Sequence, residues 1–265
     1  MKRRRHASRC CGGSRRTQDK SRWNALSSGQ GRPRTQIYTF QMQERTAVDI
    51  SQYTYEEFIS FLFERDVQCR TDEANPRKWN PWFFHIEAIF DSKRTCEYYV
   101  RLFREPTFLL DRFSRAQLEE GFWAIQASSM ECSVYRIISD TSLPFPLRTE
   151  CIVSMLDLFR KFFAKEPLET SGNMWWDSLC FDWHCGNRNR ERGGEDLLLQ
   201  DVMFRTLAGI LELNSDFCHG AALHGLGHLH HPETEKLVQR FIERHLELTE
   251  GQKAYALAAA EFKVL

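Results

Sequence analysis

Apolar residues recur at helical spacing along most of the chain after residue 54. This spacing predicts a long helix over residues 197–213, with apolar side chains on much of its circumference. The clearest amphipathic stripe occupies positions i, i+3, i+4, i+7, i+10 and i+11 of one helix and consists of Ile152, Met155, Leu156, Phe159, Phe162 and Phe163. This periodicity predicts an all-α fold in which residues 45–265 form a single helical domain.

Three short patterns mark the starts of predicted helices. In a capping box, a Ser or Thr hydroxyl accepts a hydrogen bond from the backbone N–H three residues later, and a Glu or Gln there reaches back to the cap. The pairs with this spacing are Thr54 with Glu57, Ser114 with Gln117, and Thr249 with Gln252. We therefore expect helices to begin at residues 55, 115 and 250.

One stretch departs from the helical period. Residues 82–90 alternate, with Phe84, Ile86, Ala88 and Phe90 on one side. This alternation indicates one short β element. Because the pattern shows no second strand, and a lone strand leaves its backbone groups unpaired, we do not predict a sheet there.

The last part of the chain, residues 215–265, is predicted to form a helical hairpin followed by a third helix. Its pattern consists of the run AALHGLG at 221–227, Pro232-Glu233, the apolar pair Leu237-Val238, and the recurrence of Ala222-Leu223 as Ala256-Leu257. This unit resembles the helix-turn-helix unit of HEAT-like repeats. The resemblance implies an irregular α-solenoid of stacked helix pairs, with a concave protein-binding surface and no intrinsic catalysis. The first functional hypothesis is therefore a non-catalytic interaction or scaffolding module whose partner is another protein.

The formal net charge of zero hides an uneven distribution. Residues 1–34 contain eleven Lys or Arg and one acid, so they carry +10 and the remainder carries −10. Residues 1–44 contain little apolar surface to bury, and we predict a disordered basic tail. The acidic body disfavours a folded nucleic-acid interface, so nucleic acid would bind only through this tail. The alternatives are a tail without a partner, or translation that begins at Met42.

Cysteine usage and hydropathy indicate where the protein resides. The nine cysteines include no C-x-x-C pair, and no hydrophobic signal segment is evident, so we expect a reducing, cytoplasmic location. No run approaches the roughly 18 apolar residues of a membrane span, which predicts a soluble protein without a membrane partner. Phosphate-loop, dinucleotide-binding and nucleophile-elbow motifs are absent, and no catalytic residue is predicted.

Histidines are concentrated near the C-terminal end of the chain. Five of the nine lie within residues 219–231, and on a helical wheel His224, His228 and His231 share one face. A His pair at i, i+4 can hold zinc. The second functional hypothesis is therefore a metal-dependent enzyme or a zinc-stabilised domain that uses these histidines. The competing interpretation is that they face solvent or neighbouring helices and that the protein has no cofactor.

A further Cys/His group lies at residues 180–185. Cys180, His184 and Cys185 would need Cys218 and His219 to complete a four-ligand zinc site. The spacing of Cys180 and Cys185 only borders the tight C-x₂₋₄-C pairs that zinc sites use. A shared site therefore requires residues 174–186 and 219–231 to converge in space.

Tryptophans cluster just before this group. Trp175, Trp176 and Trp183, together with His184, are a candidate interaction surface on which a partner or a base could stack. Helical spacing in an acidic body instead favours packing of these rings in the core.

Overall fold

The computed structural model describes residues 45–67, 80–168 and 170–264, and the tail predicted at residues 1–44 lies outside these ranges. The described part is mostly helical, which confirms the all-α class at that level, and the described residues belong to one compact unit. Its elements are β1 (Thr46–Asp49), α1 (Tyr55–Phe63), β2 (Ile86–Ile89), α2 (Ser92–Arg104), α3 (Leu109–Arg112), α4 (Arg115–Gln126), α5 (Val134–Ser139), α6 (Phe145–Leu158), α7 (Asp177–His184), α8 (Gly194–Leu211), α9 (Asp216–Leu229), α10 (Thr234–Arg244) and α11 (Glu250–Ala260).

Local capping chemistry fixes several of these helix starts. Thr54, Ser114 and Thr249 form complete capping boxes at the beginnings of α1, α4 and α11, as the sequence predicts. Helix α9 begins after Ser215, whose side chain accepts a hydrogen bond from the backbone N–H of Cys218.

The short β element does have a partner, contrary to expectation. Residues 82–84 form a 3₁₀ turn, and β2 then pairs in parallel with β1, with Thr46 opposite Ile86. The four residues of β1 are mostly exposed, so they leave no apolar alternation from which the strand could be predicted.

An aromatic core joins the N-terminal helices. Helix α2 packs along α6, and α6 in turn packs against α8. Beyond its last α-helical residue, α6 continues as a π-helical turn, Phe159–Phe163, in which the three phenylalanines are fully buried. This turn ends the amphipathic stripe predicted at residues 152–163 and directs its rings toward Trp175, whose centroid lies 6.0 Å from that of Phe163.

Helix α9 is the central element of the C-terminal part. It packs against α7, α8 and α11, and its Leu223, Leu226 and Leu229 are buried. Gly225 permits close contact with α7, because a Cβ atom at this position would lie 2.7 Å from Cβ of Trp176. Within the described ranges, no helix is both long and apolar enough to cross a membrane.

Candidate metal site

Three side chains from two helices converge where α7 meets α9. Asp177 is the first residue of α7, and His224 and His228 lie one turn apart on α9. One carboxylate oxygen and one ring nitrogen from each histidine all lie within 4.8 Å of one another. Among the residues that the structure describes, this is the one group of three or more His, Cys, Asp or Glu side chains close enough to share an ion.

The closest approach within this group joins Asp177 and His224. Oδ1 of Asp177 lies 2.5 Å from Nε2 of His224 and 3.9 Å from Nε2 of His228. The first two atoms are shielded from solvent, and neither has an aligned hydrogen bond to another described residue. Their contact with each other is the pairing that the described residues provide for these buried atoms. Ligands of one zinc ion lie roughly 3.3 Å apart, a spacing that the two distances bracket.

Electrostatics leave His228 suited to metal binding. Burial lowers the pKa of His228 below its ordinary value, the neighbouring His224 lowers it further, and Asp177 opposes both effects. The imidazole of His228 is therefore neutral at neutral pH. A neutral ring nitrogen has the lone pair that a metal ion requires.

Each histidine of the group has a partner for its other ring nitrogen. Nδ1 of His224 lies 2.8 Å from the hydroxyl of Tyr255 on α11, and burial raises the pKa of that hydroxyl to about 12. Nδ1 of His228 lies 3.2 Å from Nδ1 of His184, at the end of α7. Such outer contacts orient metal-binding imidazoles and fix which nitrogen carries the proton. Here they leave Nε2 of both rings directed at Asp177.

His231 does not join this group, although the sequence places it on the same helical face. Helix α9 ends at Leu229, and His230 adopts a left-handed conformation with φ of 56° that turns the chain. Nδ1 of His231 accepts a hydrogen bond from the backbone N–H of Glu233, and Nε2 lies 3.1 Å from Oδ1 of Asp201. With both nitrogens engaged, His231 is replaced by Asp177 as the third candidate ligand.

The predicted Cys/His zinc site is not assembled within the described residues. Cys180 is buried, Cys185 is exposed, and burial raises the pKa of Cys180 well above its ordinary value, so its sulfur stays protonated. Cys218 and His219 bond to backbone carbonyl groups instead. The two segments do converge, but through Asp177 and His184 rather than through cysteines.

The tryptophans predicted as an interaction surface are buried, which corrects that expectation. Trp175 and Trp176 are fully buried and Trp183 is 6% exposed, so only His184 of this set faces solvent. Trp175 packs edge-to-face against Phe103. Trp176 packs beneath Gly225 and directly precedes Asp177. Packing of Trp176 in the core therefore fixes the position of the Asp177 carboxylate.

Sequence reasoning missed Asp177 and Tyr255. Each occupies an ordinary helical position, and no local spacing connects either residue to the histidines of α9. The available signal was the coincidence of two Cys/His-rich segments in one chain. That coincidence indicates a region of interest without indicating which carboxylate takes part.

Comparison with known proteins adds no relative. No family model, curated protein or solved structure matches this chain. The resemblance to HEAT-like repeats therefore stays a prediction, and a functional interpretation has to be drawn from the geometry of the site.

Proposed function

We propose that this protein binds one divalent transition-metal ion, zinc or a metal of similar ligand preference, through Asp177, His224 and His228. The observation that carries the proposal is the convergence of three potential ligand atoms within 4.8 Å, two of which are buried without an aligned hydrogen bond. A bound cation would compensate the desolvation of both atoms.

The donor set favours one group of metals. Two imidazoles and one carboxylate suit zinc and other late transition metals, whereas calcium and magnesium prefer sites made of oxygen atoms. Structural zinc sites use four protein ligands, and catalytic sites use three and leave a position for water or substrate. A three-ligand set therefore supports a metal-dependent enzyme over a zinc-stabilised domain.

Space for a small ligand adjoins the proposed ligand Asp177. A cavity of about 280 Å³ is lined by Asp177, Ser178 and Ser129, together with aromatic side chains. The hydroxyl oxygens of both serines are buried and have no hydrogen-bond partner among the described residues. A bound metal would supply Lewis acidity at Asp177, and the two serine hydroxyls would orient a ligand in the cavity.

Metal analysis tests the proposal directly. Protein treated with chelator and then dialysed against micromolar zinc is expected to retain about one zinc ion per chain, as the single three-ligand site requires. Asp177→Asn and His228→Ala should abolish this binding. The controls are Asp216→Asn, an exposed acid at the start of α9, and His245→Ala, a histidine outside the group. Absence of stoichiometric zinc, or equal loss in the controls, would overturn the proposal.

The open coordination position requires a separate measurement. Cobalt-substituted protein should show visible absorption bands that shift when azide is added, because azide can occupy a position that the protein leaves free. Bands that do not respond to azide would indicate a closed site and would contradict an enzymatic role.

The scaffolding role predicted from the sequence gains no specific support. Of the separate candidate interaction surface, Trp175, Trp176 and Trp183 lie in the core and His184 is exposed. A HEAT-like arrangement of the helix pairs remains compatible with the packing of α8–α11, and it carries no part of the proposed metal function.

A further inference from the structure

The C-terminal segment covers the half of α9 that carries the candidate ligands. The hydroxyl of Tyr255 contacts Nδ1 of His224 at 2.8 Å. Phe262 stacks on His230 with ring centroids 4.6 Å apart. Val264 fills the space beside Gly227, where an added Cβ atom would overlap its methyl groups. Helix α11 and the residues after it therefore pack along α9 on the side that carries His224.

Among these contacts, the one made by Tyr255 has a chemical consequence. A neutral phenol can donate or accept a hydrogen bond. If Nε2 of His224 binds a metal ion, the remaining ring proton lies on Nδ1 and donates to the phenol oxygen. The contact would then fix both the tautomer and the plane of the ligand.

We propose that Tyr255 is a positioning residue for the metal site, and that docking of α11 on α9 is coupled through it to metal binding. This inference rests on the proposed metal function. The contact between Tyr255 and His224 forms only when α11 is docked on α9. It therefore strengthens metal binding only while this helix is docked. By thermodynamic linkage, metal binding must then stabilise the docked helix to the same extent.

Removal of the one hydroxyl tests the positioning role. Zinc affinity of the full chain is measured by competition with a chromophoric chelator. Tyr255→Phe should weaken zinc binding by about 10–100-fold, the usual effect of losing an outer-shell partner. Tyr98→Phe is the matched control, because it loses a hydroxyl that bonds the carbonyl oxygen of Tyr53 on another part of the fold. Its zinc affinity should match that of the wild type.

Hydrogen exchange of the wild-type chain tests the coupling without any substitution. Zinc should slow exchange of the amides of α11 (Glu250–Ala260) more than exchange of the amides of α1 (Tyr55–Phe63), which report the general stabilisation by a bound ion. This measurement decides the coupling even if Tyr255→Phe fails to fold.

The two proposals fail in different ways. A wild-type chain that binds no zinc overturns the metal site itself. A wild-type chain that binds zinc, with a folded Tyr255→Phe variant of equal affinity or with α11 exchange that zinc slows no more than α1 exchange, overturns the inference and leaves the metal site standing.

Discussion

Oδ1 of Asp177 and Nε2 of His224 lie 2.5 Å apart across the interface of α7 and α9, without an aligned hydrogen bond. The two atoms are within ion-pair distance, and neither shares a hydrogen bond with any other described residue. The close packing of Gly225 on Trp176 holds the two helices together at this point. This packing fixes the short distance between Asp177 and His224.

Zinc should stabilise the folded protein. A ligand that binds only the native state at 1,000 times its dissociation constant raises the free energy of unfolding by about 4 kcal/mol. We expect this increase for the wild type and for His245→Ala, and no increase for His228→Ala. Urea unfolding followed by circular dichroism, with zinc or with chelator, measures it. An equal zinc response in His228→Ala would show that the stabilising ion binds elsewhere.

The close approach of α9 to α7 should depend on Gly225. An alanine there would place Cβ 2.7 Å from Cβ of Trp176 and 2.8 Å from Cδ2 of Leu207, so the helices must separate. Gly225→Ala should cost about 1–3 kcal/mol of unfolding free energy and weaken zinc binding.

The control for this substitution lies on the same helix. Apart from the adjacent residues and the backbone of the same helix, no atom lies within 4 Å of a Cβ atom added at Gly220. Alanine is also the better helix former, so Gly220→Ala should raise stability by up to about 1 kcal/mol. Chemical unfolding of both variants checks the pair. If Gly225→Ala is as stable as Gly220→Ala, close packing at Gly225 does not set the helix spacing.

Local chemistry explains which features could be predicted from the sequence. The capping boxes at Thr54, Ser114 and Thr249 depend on side chains within four residues, and the pairing of His224 with His228 depends on one helical turn. Patterns of this length are determined by the chain segment itself.

Long-range packing explains what the sequence did not reveal. Asp177 and Tyr255 belong to helices whose positions are set by burial of Trp176 and by the docking of α11. The prediction of His231 as the third ligand was wrong because helix α9 ends before His230. Strand β1 was missed because its pairing with β2 joins distant segments. Spatial proximity of this kind leaves no local spacing in the sequence.

Arg148 should be important for stability although it lies outside the metal site. Its side chain is 1% exposed and bonds the carbonyl oxygens of Ile138 and Leu143 as well as the carboxylate of Glu195. Arg148→Ala leaves both buried carbonyls without this donor and should cost about 3–5 kcal/mol.

The partner of Arg148 provides the contrast. Glu195 is 43% exposed, so Glu195→Gln should cost less than Arg148→Ala, because solvent screens the carboxylate and the amide oxygen of Gln still accepts a hydrogen bond from the guanidinium. Thermal and urea unfolding of the two variants compare them. Similar losses would mean that the ion pair, rather than the bonds to the carbonyls, carries the contribution of Arg148.

Acidification should destabilise the metal-free protein. Burial lowers the pKa of His219 below its ordinary 6.5, only partly opposed by its bond to the carbonyl oxygen of Leu213. Below pH 6.5 the unfolded chain binds a proton that the folded His219 resists. The stability present above pH 6.5 is therefore lost as the pH falls from there through the lowered pKa. Burial likewise lowers the pKa of His231, which adds to the loss.

One substitution isolates the share of His219 in this pH dependence. Glutamine retains an N–H donor of similar reach for the carbonyl oxygen of Leu213 but does not titrate. We expect His219→Gln, kept in chelator, to lose less unfolding free energy than the wild type between pH 7 and about pH 5.5, since one proton-linked contribution is gone. Urea unfolding at both pH values measures the difference. Parallel losses in the two proteins would show that His219 binds protons equally well in the folded and unfolded chain, and would contradict the lowered pKa of His219.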